Sequence, residues 1–451
     1  MTRPHDDPLR AGTLRTIVAS ALAVLAALAL VAFAPGALAD AAERISLAQA
    51  RARGALAQPA GTDPGPPGDA FYTPPSPLPA GQPGDVVRAR PAKAGPPTAR
   101  SLADAWQVMY LSKNAQDQPI AETGTILVPK GADTASMPIV AMAPGTSGPA
   151  FRCAPSKMID GGIFYEQAML NELLKKKWAV AVPDYEGYHQ NPTTTYITGH
   201  SEGHAVLDAV RAAQRLPEAK LSKDAKVLVH GYSQGGGAAM WAGELQPTYA
   251  PELNLQGISA GGVPGDIVSV ALALDGSKAF GFLFYALIGL HNAYPDVKFD
   301  SVLNDAGKQA RQQLEGDSCT LELLLDHQGK SVDDYFTNSP LGDSAWLTHA
   351  KENRLGSTAI KVPVYQYHST TDEIVAYPQA SRLRDKYCAL GVKLTWKTWD
   401  GLSHITLVGR GNADALAFLS DRLNGVPATS NCPVTPPPTT PPPTTPPGAS
   451  S

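Results

Sequence analysis

From about residue 100 to residue 430 the chain alternates short apolar runs with stretches of helical periodicity. Trp106-Gln-Val-Met-Tyr-Leu and Thr123-Gly-Thr-Ile-Leu-Val flank a polar turn at 114–118 and predict an antiparallel strand pair. Shorter runs follow: Pro138-Ile-Val-Ala-Met, Trp178-Ala-Val-Ala-Val, Lys226-Val-Leu-Val-His, Leu255-Gln-Gly-Ile-Ser, Val362-Pro-Val-Tyr-Gln-Tyr and Val392-Lys-Leu-Thr-Trp. Apolar runs of this length without polar alternation suit strands covered on both faces, and the helical stretches between them imply βαβ units. The pattern predicts an α/β fold with a mostly parallel sheet and helices on both faces. Residues 266–344 break the rhythm and read as helical throughout, which predicts a cap inserted between late strands. No internal repeat is present.

The ends follow different rules. Arg3, Arg10 and Arg15 precede an uncharged apolar run at 17–34, and Ala37-Leu38-Ala39 then offers small residues before Asp40. These are the three regions of a secretory signal peptide over 1–39. The run is also long enough for a membrane anchor, but the small-residue site favours cleavage. Proline, 41 of 451 residues, concentrates in a proline-rich arm within 40–98 and in a Pro/Thr tail over 429–451. The tail has too little apolar surface to fold and predicts an extended, disordered spacer, with cell-wall contact as one use for it. A single large α/β domain at 99–428 remains between them.

Composition narrows the function. A formal net charge of −4, with 17% charged residues, lacks the basic face that nucleic-acid binding requires. Cys153, Cys319, Cys388 and Cys432 are the only cysteines. In an exported chain they predict two disulfides, with three possible connectivities. None are spaced as zinc ligands.

The chemistry centres on G-x-S-x-G, which occurs at Gly231-Tyr232-Ser233-Gln234-Gly235 and again at Gly257-Ile258-Ser259-Ala260-Gly261. A nucleophile elbow needs a buried strand before the serine and a helix directly after it. Ser233 follows an apolar run, and after Gly235-Gly236-Gly237 comes the helix-forming Ala238-Ala-Met-Trp-Ala-Gly-Glu-Leu. Ser259 is followed by Gly262-Val263-Pro264, where proline interrupts any immediate helix. Ser233 is therefore the expected nucleophile, and Ser259 a structural residue of the next strand.

A serine hydroxyl needs a base, and the base needs an orienting acid, in the chain order Ser, Asp/Glu, His. Asp372 lies in the polar loop after one late strand, with Glu373 as its rival. His404 lies in the loop after the next. His368 precedes the acid instead of following it, and His200, His204 and His230 adjoin the elbow as packing or surface groups. For the oxyanion hole, the N–H of Gln234 is one expected donor. Val140-Ala-Met-Ala-Pro-Gly-Thr-Ser-Gly148, a strand ending in a glycine-rich loop, predicts Thr146 as the other.

With these residues in place the chain resembles the secretory lipases of the Candida antarctica lipase A type and their actinobacterial relatives. The resemblance spans roughly 69–427. It is carried by Asp69-Ala-Phe71-Tyr72 with Pro83-Gly84-Asp85-Val86, and by Ala143-Pro144-Gly145-Thr146 with Cys153-Ala154-Pro155-Ser156. Asp184-Tyr185-Glu186-Gly187, Val206-Leu207-Asp208 and the elbow itself complete it. It implies an α/β-hydrolase fold with a helical cap, hydrolysis of acylglycerol esters without metal or cofactor, and pairing of Cys153 with Cys319 and of Cys388 with Cys432. Each such loop is long enough for about 4 kcal/mol of stabilisation by chain entropy. Phe280-Gly-Phe-Leu-Phe-Tyr-Ala-Leu-Ile-Gly-Leu290, apolar all round, is either a helix buried in the cap or the wall of an acyl-chain groove near a lipid surface. A carboxylesterase or polyester hydrolase is the nearest alternative, and a non-catalytic wall-binding protein a remote one.

Overall fold

The structure is a computed structural model and describes residues 61–433. Nine strands form one sheet: β1 (Val86–Ala92), β2 (Ala103–Lys113), β3 (Pro119–Pro129), β4 (Ile139–Ala143), β5 (Ala179–Tyr185), β6 (Val227–Tyr232), β7 (Leu255–Gly261), β8 (Val364–Ser369) and β9 (Leu394–Trp399). Their order is β1-β2-β3-β5-β4-β6-β7-β8-β9. The first three strands and β5 pair antiparallel; from β5 onward every pairing is parallel. The apolar runs predict this mostly parallel sheet, and the family resemblance implies its α/β-hydrolase arrangement.

The runs are continuous because the two faces of the sheet meet different cores. Ile139, Ala141 and Ala143 of β4 face one core, and Val140 and Met142 the other. Alternate side chains of β6 divide the same way, Val227 and Val229 against Leu228. A period of two that is apolar on both phases reads as an unbroken run. The second core is covered by α1 (Gln167–Lys175). The first is covered by α2 (Gly199–Arg215) and α3 (Gln234–Tyr249).

Between β7 and β8 the cap contributes α4 (Ile267–Leu274), α5 (Phe280–Ala293), α6 (Asp305–Asp317), α7 (Thr320–Leu325) and α8 (Ser344–Glu352). They share a separate core built on Phe280, Phe284, Phe299 and Trp346. The expected end of the cap at 344 is where α8 begins, so the helical block runs eight residues further. It also contains one extended bridge, between Leu303 and Phe336. After β8 come α9 (Tyr377–Ala389), α10 (His404–Arg410) and α11 (Asn412–Leu423).

Both expected terminal segments reach further into the fold than their proline content implies. The arm over 40–98 includes β1, which pairs with β2 along the sheet edge. At the other end, within the segment expected to be tail, Asn431 lies along β9. Its N–H donates to the Leu394 carbonyl at 3.1 Å, and its side-chain amide exchanges two 2.7 Å bonds with the Trp396 backbone. The disulfide Cys388–Cys432 anchors this segment to α9, and Cys153–Cys319 joins the main body to the cap. The signal peptide expected over 1–39 and the tail beyond residue 433 lie outside the described residues. Among the described residues no helix is long and apolar enough to cross a membrane.

Candidate active site

Strand β6 runs straight into Ser233, and α3 starts at the next residue. Ser233 has φ 59° and ψ −123°, a conformation rare outside glycine that costs on the order of 1–3 kcal/mol. The flanking glycines permit so tight a turn. A Cβ on Gly231 would stand 2.0 Å from the Gly235 carbonyl oxygen, and one on Gly235 would stand 2.0 Å from the Ala143 carbonyl oxygen. The turn presents the hydroxyl at the carboxyl end of the sheet. There the loops after β8 and β9 deliver Asp372 and His404.

The three side chains form one hydrogen-bonded relay. Ser233 Oγ donates to His404 Nε2 at 2.9 Å, and His404 Nδ1 donates to Asp372 Oδ2 at 2.6 Å. The carboxylate determines these directions, because it can only accept. Backbone N–H groups of Ile374 and Val375 donate to the other Asp372 oxygen at 3.0 and 2.7 Å. Burial alone would raise the Asp372 carboxyl, but its bond to His404, the charges of His404 and His368, and the Val375 N–H outweigh burial and hold it below its usual range. Glu373, the sequence rival, accepts from the His404 backbone N–H at 2.9 Å and so braces the same residue from behind. His368 is fully buried and bonds the Val375 carbonyl at 2.7 Å. His204 bonds the Lys113 carbonyl, and burial keeps His230 neutral, its pKa pushed down to about 4. Ser259 is fully buried within β7, and its hydroxyl has no partner among the described residues.

Thr146 and Gln234 both line the cavity above Ser233. Ser233 makes no side-chain cap to α3, so the Gln234 N–H begins the helix unclaimed by it. The loop carrying Thr146 is densely tied. Gly145 N–H donates to Glu166 at 2.9 Å, Tyr185 OH donates to the Pro144 carbonyl at 2.9 Å, and the Thr146 and Tyr196 hydroxyls bond at 2.8 Å.

Two buried carboxylates here escaped the sequence reading. Burial pushes Glu166 up to about 7 against the pull of the Gly145 N–H. Glu202 on α2 is likewise pushed up to about 7 by burial, although the Gln234 amide and the Ile197 N–H donate to it at 2.7 and 2.9 Å. Single acids at or within helices carry little local signal. The one hint is Gly199-His-Ser-Glu-Gly203, small residues around a carboxylate on the helix that packs against α3.

The cavity over Ser233 is strongly apolar. Ile267, Val270 and Leu274 of α4 and Phe282, Leu283 and Ala286 of α5 form its cap wall; Ile405 and Val408 of α10 face them. A second apolar cavity shares Ile267, Ala271, Leu283 and Ala286 and extends to Trp346. The segment 280–290 belongs to the cap core on one side and to the cavity wall on the other. Phe280 and Phe284 pack the cap core while their helix neighbours wall the cavity. Among the described residues no group of three or more His, Cys, Asp or Glu side chains is arranged to hold a metal ion.

Comparison with known proteins gives the family and the fold. A family model described as secretory lipase matches residues 154–431. The secreted triacylglycerol lipase LIP7 of Malassezia globosa is 31% identical over 377 residues, covering 79% of each chain. Lipase 10 of Candida albicans is 31% identical over 81% of this chain and 82% of its own. Among solved structures, Candida antarctica lipase A superposes with a TM-score of 0.74 at 27% identity, over 81% of this chain and 87% of that one. The rice cell wall degrading esterase LipA of Xanthomonas oryzae shares the fold, with a TM-score of 0.64 at 19% identity, over 77% of this chain and all of that one.

Proposed function

The chain belongs to the secretory lipase family, and from that premise we propose that Ser233, His404 and Asp372 hydrolyse acylglycerol esters through an acyl-enzyme. The protein is a carboxylic ester hydrolase and acts outside the cell. As Ser233 Oγ attacks the ester carbonyl carbon, His404 Nε2 takes its proton and Asp372 stabilises the imidazolium. The N–H groups of Gln234 and Thr146 receive the oxyanion, each worth about 3 kcal/mol in the transition state. The leaving alcohol then takes the proton from His404. Water, deprotonated by the same imidazole, attacks the acyl carbon and releases the acid.

The relay of 2.9 and 2.6 Å beneath the strained Ser233 is the observation that supports this reading best. The apolar cavity and the triacylglycerol lipases among the relatives support long acyl chains as substrate. A fluorophosphonate should label Ser233 stoichiometrically, and emulsified oleoyl glycerides should be cleaved with higher kcat/KM than tributyrin. An unlabelled Ser233 overturns the mechanism, while a preference for butyrate esters makes the protein a short-chain carboxylesterase on the same triad. The export reading predicts a mature protein beginning at Asp40, which N-terminal sequencing checks. Cell-wall contact through the Pro/Thr tail predicts that deleting residues 434–451 releases the enzyme from a wall fraction.

A further inference from the structure

The loop from Pro144 to Gly148 is laced to the cap as well as to the main body. Thr320, the first residue of α7, donates its hydroxyl proton to the Thr146 carbonyl, and its N–H donates to the Ser147 carbonyl at 3.0 Å. One step away, Ala150 N–H donates to the Ser318 carbonyl at 3.3 Å, and Cys319 is bonded to Cys153. The seam is tight. A Cβ on Gly148, whose φ is 108°, would lie 2.5 Å from the Cys319 Cα.

These contacts bear on one peptide plane in particular. The plane joining Pro144 to Gly145 is held at both ends, by Tyr185 at the Pro144 carbonyl and by Glu166 at the Gly145 N–H. The plane joining Thr146 to Ser147 is held by Thr320 at its carbonyl. Between them lies the plane that carries the Thr146 N–H, and among the described residues no acceptor pairs with that N–H. Glycine at 145 eases rotation of this plane, whose direct tether is a 3.4 Å bond from the Ser147 hydroxyl to the Gly145 carbonyl. Immobilising both neighbours restricts it without using its donor.

Resting on the reading of Thr146 as an oxyanion donor, we propose that the cap residue Thr320 is a positioning residue for the oxyanion hole. The cap then sets the geometry of the reacting centre in addition to covering it. Losing the Thr320 hydroxyl releases the Thr146 carbonyl and misaligns a donor that matters only when negative charge develops. Such a defect lowers kcat and leaves KM unchanged.

The test compares Thr320→Val, which keeps the shape and removes the hydroxyl, with Thr320→Ser, which restores it. Both are assayed on a nitrophenyl ester and against an aryl boronic acid, whose tetrahedral adduct on the serine imitates the intermediate. T320V should lower kcat by about 10-fold and weaken boronate binding by about the same factor, with KM within about twofold; T320S should recover most of both. Wild-type kcat in T320V, a change confined to KM, a kcat loss without loss of boronate affinity, or no rescue by serine would each overturn the proposal. Thr320→Ala carries the same prediction should the valine variant not fold. Labelling to completion by a fluorophosphonate tests the underlying mechanism separately. If wild-type Ser233 stays unlabelled, that mechanism fails whatever Thr320 does.

Discussion

Gly231–Gly235 and Gly257–Gly261 spell the same five-residue pattern on adjacent, parallel strands, with His230 directly beside Ser259 in the register. Their serines have opposite fates. Ser233 sits at a left-handed φ of 59° with its hydroxyl in a relay, whereas Ser259 is extended, sealed within β7 and unpartnered. The difference arises from the register of the pattern against the strand end. In the first copy the serine is the residue after the strand, and a glycine-alanine helix carries the chain away. In the second, the strand continues two residues past the serine before Gly262-Val263-Pro264 turns the chain toward the cap. A five-residue pattern therefore specifies chemistry only together with the element that follows it.

Four measurements can break or sharpen this contrast, in descending size of effect. Ser233→Ala should lower kcat by about 10⁴–10⁶-fold on a soluble ester, while Ser259→Ala stays within about twofold. Equal losses would erase the distinction. The leading glycines should differ next, as measured by denaturant unfolding. Ala at 231 meets backbone at 2.0 Å and should cost about 3 kcal/mol or more, whereas Ala at 257 crowds the flexible Arg422 stem at 2.7 Å, with backbone no nearer than 3.4 Å, and should cost about 1 kcal/mol.

The third concerns pH. Glu202, bonded to the elbow residue Gln234, has a folded pKa raised to about 7. Stability from such a group is fully present below its unfolded value and is lost as pH rises through 7. Glu202→Gln keeps the acceptor and removes the charge. The variant should match wild type near pH 4 and exceed it at pH 8.5 by up to about 3 kcal/mol, read from the unfolding midpoint across pH. The smallest effect belongs to Ser259→Ala. Deleting an orphaned buried hydroxyl should change stability by no more than about 1 kcal/mol, in the stabilising direction and evenly across pH.

What could be read in the residues follows from how local each constraint is. Strands β4 to β8 were legible because burial on both faces leaves an unbroken apolar signature. The elbow was legible because strand, serine, glycines and helix adjoin in the chain. Strand β1 was not. It is an edge, and Val86-Val-Arg-Ala-Arg-Pro-Ala carries two arginines and a proline that an inner strand could not tolerate. Asp372 and His404 could be ordered by the chain sequence of the motif, although only contact across the fold separates Asp372 from Glu373. Glu166, Glu202, Tyr196 and Thr320 had no adequate local mark, since each acquires its role from a partner 21 to 174 residues away.

The short segment at Asn431 has a consequence for life outside the cell. An open sheet ends in a row of unpaired backbone groups, a template on which another copy could add its own strand. At one end, β1 is defended by Pro91 and by the Asp63 carbonyl, which accepts the Ala89 N–H at 2.8 Å. At the other, β9 offers the backbone groups of Leu394 and Trp396, and Asn431 occupies them, its amide standing in for a strand residue while Cys388–Cys432 holds it there. Reducing that disulfide would do more than loosen a terminus. It would uncover a sticky edge, and the first symptom would be self-association at catalytic rates still close to normal.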